Sequence, residues 1–242
     1  MFDAERIKND IIDWIKTYFD ENGKNCTAVL GISGGKDSSI AAALCAQAIG
    51  ADRVLGVLMP QGEQRDIVTA YEVGDFLKIR HIVVNIANTV DTLSGDLQQS
   101  GIILNKQAKQ NTPARIRMSI LYAVAATVDG RVVNTSNLSE SWIGYSTKFG
   151  DGAGDFSPLA NLTATETAEI GRVMGLPLKF TDKTPEDGLS GLTDEENFGF
   201  TYAILDNYIR SGVCEDPAAK EKIDTLRKHN NHKTQPIPAF RF

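Results

Sequence analysis

The chain has 242 residues, 42% hydrophobic and 23% charged, which suits one large α/β unit with a well-buried core. A net charge of −6 argues against a nucleic-acid surface as the main business. Cys26, Cys45 and Cys214 make no C-x-x-C, no apolar run approaches a membrane span, and the charged N-terminus is unlike a signal peptide, so a cytoplasmic protein with reduced thiols is expected.

Ile7, Ile11, Trp14, Ile15 and Tyr18 recur at helical spacing over residues 3–19, predicting an amphipathic helix against one side of a sheet. Thr27 to Ile32 is an apolar, β-branched run that reads as a buried strand. The chain then turns through Ser33-Gly34-Gly35 and continues as a helix from Ser38 to Ile49, ended by Gly50. Strand, glycine turn and helix N-terminus in that order form a phosphate cradle: the glycines let backbone approach an anion, and the first helical N–H groups point at it. Walker A spacing is excluded, because Leu30 stands at the first glycine and Asp37 at the final hydroxyl; G-x-G-x-x-G is also absent from this turn. What remains is S-G-G-x-D-S, with an acid inside the cradle. A carboxylate beside polyphosphate makes electrostatic sense when a cation lies between them, so Asp37 reads as a Mg²⁺ ligand.

Arg53 to Met59 is a second buried strand, and Asp66 is placed to cap a helix reaching about Leu77. His81 to Ile86 is a third strand. This alternation predicts a parallel sheet with ligands at the strand C-termini. After a polar stretch from Asp91 to Gln110, Thr112-Pro113 is expected to open a helix as N-cap and first position. Ile116, Met118, Ile120, Leu121, Val124 and Val128 cover more than one of its faces, which calls for two partners: a second subunit, or both sides of a thick monomer core.

Arg131 to Ser136 is the fourth strand. Gly144 to Asp155 reads by itself as a flexible surface loop. Thr163-Ala-Thr-Glu166 is a capping-box pattern opening a helix that ends at Gly175, with Pro177 beyond. Lys183 to Leu192 is a Gly/Pro/Asp loop long enough to be a lid. Thr193-Asp-Glu-Glu196 repeats the capping pattern, Asp216-Pro217 starts a last helix to about Lys228, and an irregular tail follows from Asn230. No repeat or linker divides the chain, so a single domain over residues 1–242 is expected.

S-G-G-x-D-S after a first strand resembles the pyrophosphate loop of the ATP pyrophosphatases. Further patches follow in order: Asn111-Thr-Pro-Ala-Arg-Ile-Arg-Met118, Asn134-Thr-Ser-Asn-Leu-Ser-Glu140, Thr147-Lys-Phe-Gly-Asp-Gly152, Ser157-Pro-Leu159, and His232-Lys233 with a proline and Phe240 after it. Along nearly the whole chain they resemble the ammonia-dependent NAD synthetases. The resemblance implies a single-domain α/β fold, a parallel sheet with helices on both faces of the Rossmann-like, adenine-nucleotide alpha-hydrolase type. It also implies a homodimer acting on small molecules, with no nucleic acid and no membrane as partner. The implied reaction converts deamido-NAD (nicotinic acid adenine dinucleotide) to NAD with ATP, Mg²⁺ and ammonia, through an adenylylated intermediate that releases AMP and pyrophosphate.

Carried over position by position, the resemblance gives Asp37 and Glu140 the catalytic and metal-binding roles. It assigns ATP to Ile32, Ser33, Gly34, Gly35, Lys36, Asp37, Ser38, Ser39 and Thr135, and deamido-NAD to Asn111, Arg115, Lys148, Asp151, Asp155, His232 and Lys233. Taken without it, Thr135 merely ends a strand, Glu140 is a helix-entry acid, and Arg115 and Lys148 are surface cations. His229 and His232 form H-x-x-H, but no third ligand is placed nearby, so zinc is rejected.

Two positions depart from the family. Ala164 stands where many members carry a lysine that contacts ATP phosphate. Glu186 stands where many have Ser or Thr; an added carboxylate there repels phosphate unless a cation screens it, and Lys36, Lys183 or a second Mg²⁺ are the candidates. The rival readings are a GMP synthetase-like amidation of another adenylated substrate and a non-catalytic adenine-nucleotide sensor. The chain has no room for the amidase domain of glutamine-dependent synthetases, so ammonia is expected free or from a separate partner.

Overall fold

The computed structural model describes residues 2–63, 67–181 and 193–241. Strands β1 (Thr27–Gly31), β2 (Val54–Leu58), β3 (Arg80–Val83) and β4 (Gly130–Val132) form one sheet in the order β3-β2-β1-β4. Every pairing is parallel, with Leu30 opposite Gly56, Val29 opposite Val132 and Val57 opposite Ile82. Parallel neighbours need crossovers. Helix α2 (Lys36–Ile49) links β1 to β2, α3 (Ile67–Leu77) links β2 to β3, and α4 (Ala87–Gln99) and α5 (Lys106–Thr127) link β3 to β4. Helix α1 (Ala4–Asn22) precedes the sheet.

The period-2 alternation of β1 sorts the core onto two faces. Ala28, Leu30 and Ile32 pack with Ile12, Ile15 and Phe19 of α1 and Ile40 and Leu44 of α2. Val29 turns the other way, toward Val57, Val132 and the α5 residues Ile116, Met118 and Leu121. The expected parallel sheet with helices on both faces is therefore present. In α1 the buried stripe is Ile12, Ile15 and Phe19, while Trp14 is 45% exposed.

Helix α5 corrects the expected boundary. Asn105, not Thr112, is its N-cap and accepts from Ala108 N at 2.9 Å; Pro113 lies inside the helix. Proline forfeits one backbone donor there. Thr112 instead donates its hydroxyl to Ala108 O at 2.8 Å. The inner face of α5 is apolar, and the outward positions Arg115, Ser119, Ala123, Ala126 and Thr127 are polar or small. Exposed Tyr122 sits among them, with exposed Leu93 on the adjoining α4.

After β4 come α6 (Leu138–Ile143), α7 (Ala164–Val173), α8 (Leu178–Thr181), α9 (Asp194–Phe198), α10 (Tyr202–Ser211) and α11 (Pro217–Asn230). Both capping boxes form as the sequence indicates, Thr163 with Glu166 and Thr193 with Glu196. Asp216 caps α11. The predicted Asp66 cap and the Lys183–Leu192 loop, with Glu186, lie outside the described residues.

Three helices meet at Asp206 of α10, which is 5% exposed. It accepts from Ser139 Oγ of α6 and, through Oδ2, from Thr165 N at 2.9 Å and Thr165 Oγ1 at 2.7 Å at the start of α7. Ser139 Oγ also accepts from Ala164 N at 2.9 Å. Removing this carboxylate orphans buried donors on two other helices. Asp206→Ala should lower stability by about 3 kcal/mol, measurable by urea unfolding.

Candidate active site

The cradle forms where β1 gives way to α2. Ile32 is the last sheet-bonded residue, donating to Val57 O at 3.1 Å. Ser33 Oγ lies 3.0 Å from Ser38 Oγ and accepts from Gly35 N at 3.1 Å, which closes the loop on itself. Ser38 and Ser39 both turn their hydroxyls back to Gly35 O, at 3.2 and 2.7 Å. Gly34 holds φ +77°, and a Cβ there would lie 3.0 Å from Ala70 N and 3.1 Å from Thr69 Cβ of α3. Only glycine satisfies both demands. The N-cap of α2 is Gly35, which offers no side-chain cap, so the first-turn N–H groups face the cradle without one. The helix starts at Lys36, two residues before the expected Ser38.

The charged groups converge on this point. Lys36 is buried, and its Nζ donates to Asp37 Oδ1 at 3.0 Å and to Ala164 O at 3.1 Å. Glu140 lies on the first turn of α6, whose N-cap Asn137 accepts from Glu140 N at 3.0 Å. Glu140 keeps a partial opening to solvent yet is crowded by protein. Its carboxyl is raised well above the usual range, first by desolvation and next by the charge of Asp37, with Lys36 opposing. Asp194 adds to the repulsion. It accepts from Tyr145 OH at 3.2 Å and Tyr202 OH at 3.1 Å, and Tyr202 is held neutral, pushed up by burial, then by Glu140 and Asp194. Asp37 and Glu140 are hard oxygen donors, and the charge of Asp37 disfavours ionisation of Glu140; a divalent cation relieves that repulsion, so the pair fits Mg²⁺ chemically.

The second group of residues is bound together across long sequence distances. Thr147 Oγ1 donates to Asn111 Oδ1 at 3.0 Å, and Arg115 Nε donates to Lys148 O at 3.2 Å. Lys148 Nζ donates to His232 O at 2.7 Å, and Lys233 Nζ donates to Gly144 O at 2.8 Å. Burial pushes the Lys233 ammonium down, and Asp151 opposes it. Gly144, at φ +65°, lets α11 dock: a Cβ there would lie 2.2 Å from Asn230 Cβ.

The loop from Gly144 to Asp155 is not the loose excursion its glycines suggested. Asn134 Nδ2 holds Asp151 O and Ala153 O at 2.8 and 2.9 Å, while its Oδ1 accepts from Ser136 N and Ser157 Oγ at 3.0 and 2.9 Å. Asp151 Oδ1 accepts from Thr147 N at 2.9 Å.

Asp155 stands apart. Its carboxylate accepts from Val132 N at 2.7 Å and Tyr122 OH at 3.3 Å, which ties it to β4 and α5 rather than to the cradle. Thr135 is half-buried in the turn after β4. Sequence reasoning missed Asn134 as an organising side chain and Asp194 with its two tyrosines. The Asn134 motif was visible in the sequence, but its four partners were not; the Asp194 signal was hidden inside the capping pattern.

A buried carboxylate with a raised folded pKa weakens the fold as pH climbs from the unfolded value through the folded one. Glu140→Gln should therefore raise the metal-free melting temperature at pH 8, with the gain shrinking toward pH 4.5 and below. Thermal melts across that range check the sign.

The family model for NAD synthase matches residues 7–238. The NH(3)-dependent NAD(+) synthetase of Pyrococcus furiosus is 39% identical over 206 residues, 85% of this chain and 77% of that protein. Among solved structures, an NMN synthetase from Francisella tularensis is similar with a TM-score of 0.92, 30% identity and full coverage of both chains. An NH3-dependent NAD synthetase from Campylobacter jejuni gives 0.81 at 26% identity, also over both whole chains. With the cradle, the Asp37 and Glu140 carboxylates and the bound tail in place on this sheet, the chain belongs to the NAD synthase family.

Proposed function

We propose that this protein is a ligase that amidates deamido-NAD to NAD with ammonia and ATP, through an adenylylated intermediate, releasing AMP and pyrophosphate. The observation that carries the reading is the meeting of an uncapped helix N-terminus with the Asp37–Glu140 pair, beside a loop and tail bound together through Lys148 and Lys233. A carboxylate oxygen is a poor leaving group, so the substrate acid must be activated. Its oxygen attacks the α-phosphorus and pyrophosphate departs; ammonia then adds to the acyl carbon and AMP departs. Both steps spread charge over phosphate oxygens, and the protein's work is positioning and charge neutralisation.

In this reading residues 32–39 and Thr135 hold ATP. Asn111, Arg115, Lys148, Asp151, His232 and Lys233 hold the dinucleotide, and Asp155 contributes through its ties to α5 and β4. Asp37 and Glu140 would hold Mg²⁺, which when bound withdraws charge from phosphate oxygens. The chain works as one domain and as a cytoplasmic homodimer. Support for the dimer comes from exposed Tyr122 on α5, exposed Leu93 on α4, and exposed Ile102 and Ile103 in the segment between the two helices. Among the described residues no helix is long and apolar enough to cross a membrane. The relatives favour neither GMP synthetase-like amidation nor a nucleotide sensor.

One second reading has a specific observation behind it. The higher structural similarity to an NMN synthetase favours a mononucleotide acid as the better substrate. Supplying the acid mononucleotide and deamido-NAD together, and measuring both products, separates the two.

With ATP, Mg²⁺, ammonium and deamido-NAD, NAD should form, and omission of any one component should stop it. Glu140→Ala should cut turnover at least about a hundredfold with the fold intact; a wild-type rate would remove Glu140 from the site. Light scattering at micromolar concentration should give twice the chain mass, and a monomer would refute the dimer.

A further inference from the structure

We propose that Arg117 binds the phosphate that stays with adenosine, holding the adenylyl group until AMP departs. This rests on the reading above that the strand ends bind ATP and pass its adenylyl group to an acid. Arg117 lies on α5, two residues past Arg115, so it leaves the helix on a different side. Arg115 is exposed and reaches the 144–155 loop. Arg117 is half-buried, and its Nε donates to Met59 O at 3.0 Å, just beyond the end of β2.

The use of its donors sets Arg117 apart. A guanidinium has five N–H donors in a planar fork. Arg53 turns Nε and Nη2 together onto Cys26 O. Arg131 gives Nε and Nη2 to Asn22 O and Nη1 to Gly130 O. Those two arginines staple backbone with the whole fork. Arg117 uses Nε alone among the described residues, and its terminal nitrogens are not among the sealed, unpartnered polar atoms, which are His81 Nδ1, Asn137 Nδ2 and Trp142 Nε1. Burial pushes the Arg117 guanidinium down, and the charge of Asp151 opposes that shift without a hydrogen bond between them. A cation drawn out of water with an open fork is costly to hold unless an anion comes to it.

Position selects the anion. Strands β1 and β2 are paired neighbours, and Ile32 N still donates to Val57 O. The cradle after β1 and Arg117 after β2 therefore stand at adjacent strand ends, where a parallel sheet receives a nucleotide. The cradle takes the two phosphates that leave, so the third lies outside it. Asp151 is within electrostatic reach of both Arg117 and Glu140, which gives the guanidinium and the Glu140 carboxylate a common neighbourhood. A planar fork matches two oxygens of one phosphate, which an ammonium cannot do.

The charge it meets grows in the second step. The lone pair of ammonia bonds to the acyl carbon. The bond from that carbon to the phosphate oxygen breaks, its electron pair departs on AMP, and the nitrogen sheds one proton to solvent. Arg117 keeps its protons and donates hydrogen bonds to the phosphate oxygens as they gain charge.

The test is calorimetric titration of the full chain with AMP and, separately, with magnesium pyrophosphate. Arg117→Met should weaken AMP binding about tenfold to a hundredfold while leaving pyrophosphate within about threefold. Arg117→Lys, which keeps a charge able to serve Met59 O but not the fork, should still lose about fivefold or more for AMP. It carries the test if Arg117→Met does not unfold cooperatively in urea. AMP binding unchanged in the folded variant overturns the proposal. So does an equal loss for both ligands, the mark of an arginine that only staples α5 to β2. If wild type binds AMP through Arg117 but forms no amide, the proposed reaction fails while the Arg117 assignment stands. If wild type does not bind AMP, the assignment falls, and if it binds neither ligand the reading of the strand ends falls with it.

Discussion

Glu140 and Asp37 bring like charge into a crowded space, and Lys36 is the cation that opposes their repulsion. Much of the surrounding architecture serves to hold these three groups together. β1 delivers the loop, Gly34 lets α3 cover it closely, and α6 presents Glu140 from the far side of β4. Helices α7 and α10 lock α6 through the buried Asp206. An apolar core would fold more cheaply without these charges, but it could not neutralise a polyphosphate.

The remaining polar contacts solve a different problem, which is fixing irregular backbone at the mouth of a parallel sheet. Asn134 uses both donors and its carbonyl oxygen to bind the 151–153 turn, Ser136 just beyond β4, and Ser157. A single amide thereby replaces the regular ladder that ends two residues earlier, at Val132. Rigid positioning on a loop is costly in entropy, and dense side chain-to-backbone bonding offsets it.

Local chemistry was the part of this structure that could be read from the chain. Alternation along β1, the paired glycines, both Thr-x-x-Glu boxes and Asp216-Pro217 each act within a few residues, and each appears where the sequence indicates. The error at Thr112-Pro113 has the same origin: a proline at the start of a helix and one inside it look alike in sequence, and the Asn105 cap seven residues earlier decided between them. Contacts made over long separations left no such trace. Lys148 with His232, Asp206 with Ser139 and Lys36 with Ala164 depend on how helices α6, α7, α10 and α11 pack. The resemblance to a known family marked several of these residues without giving their partners. Asp155 is one such residue, whose partners Tyr122 on α5 and Val132 on β4 come from the fold.

The docking of α11 against Gly144 has a consequence for how the protein comes into being. Gly144 can accept Asn230 closely only once the final helix exists, and the His232 carbonyl that holds Lys148 follows it. Folding during synthesis proceeds from the N-terminal side, so the sheet and cradle can form while the chain is still growing. The loop that faces them has to wait for α11 and the residues that follow it. A chain made or clipped only as far as α10 would thus carry a finished nucleotide cradle opposite an unfinished wall.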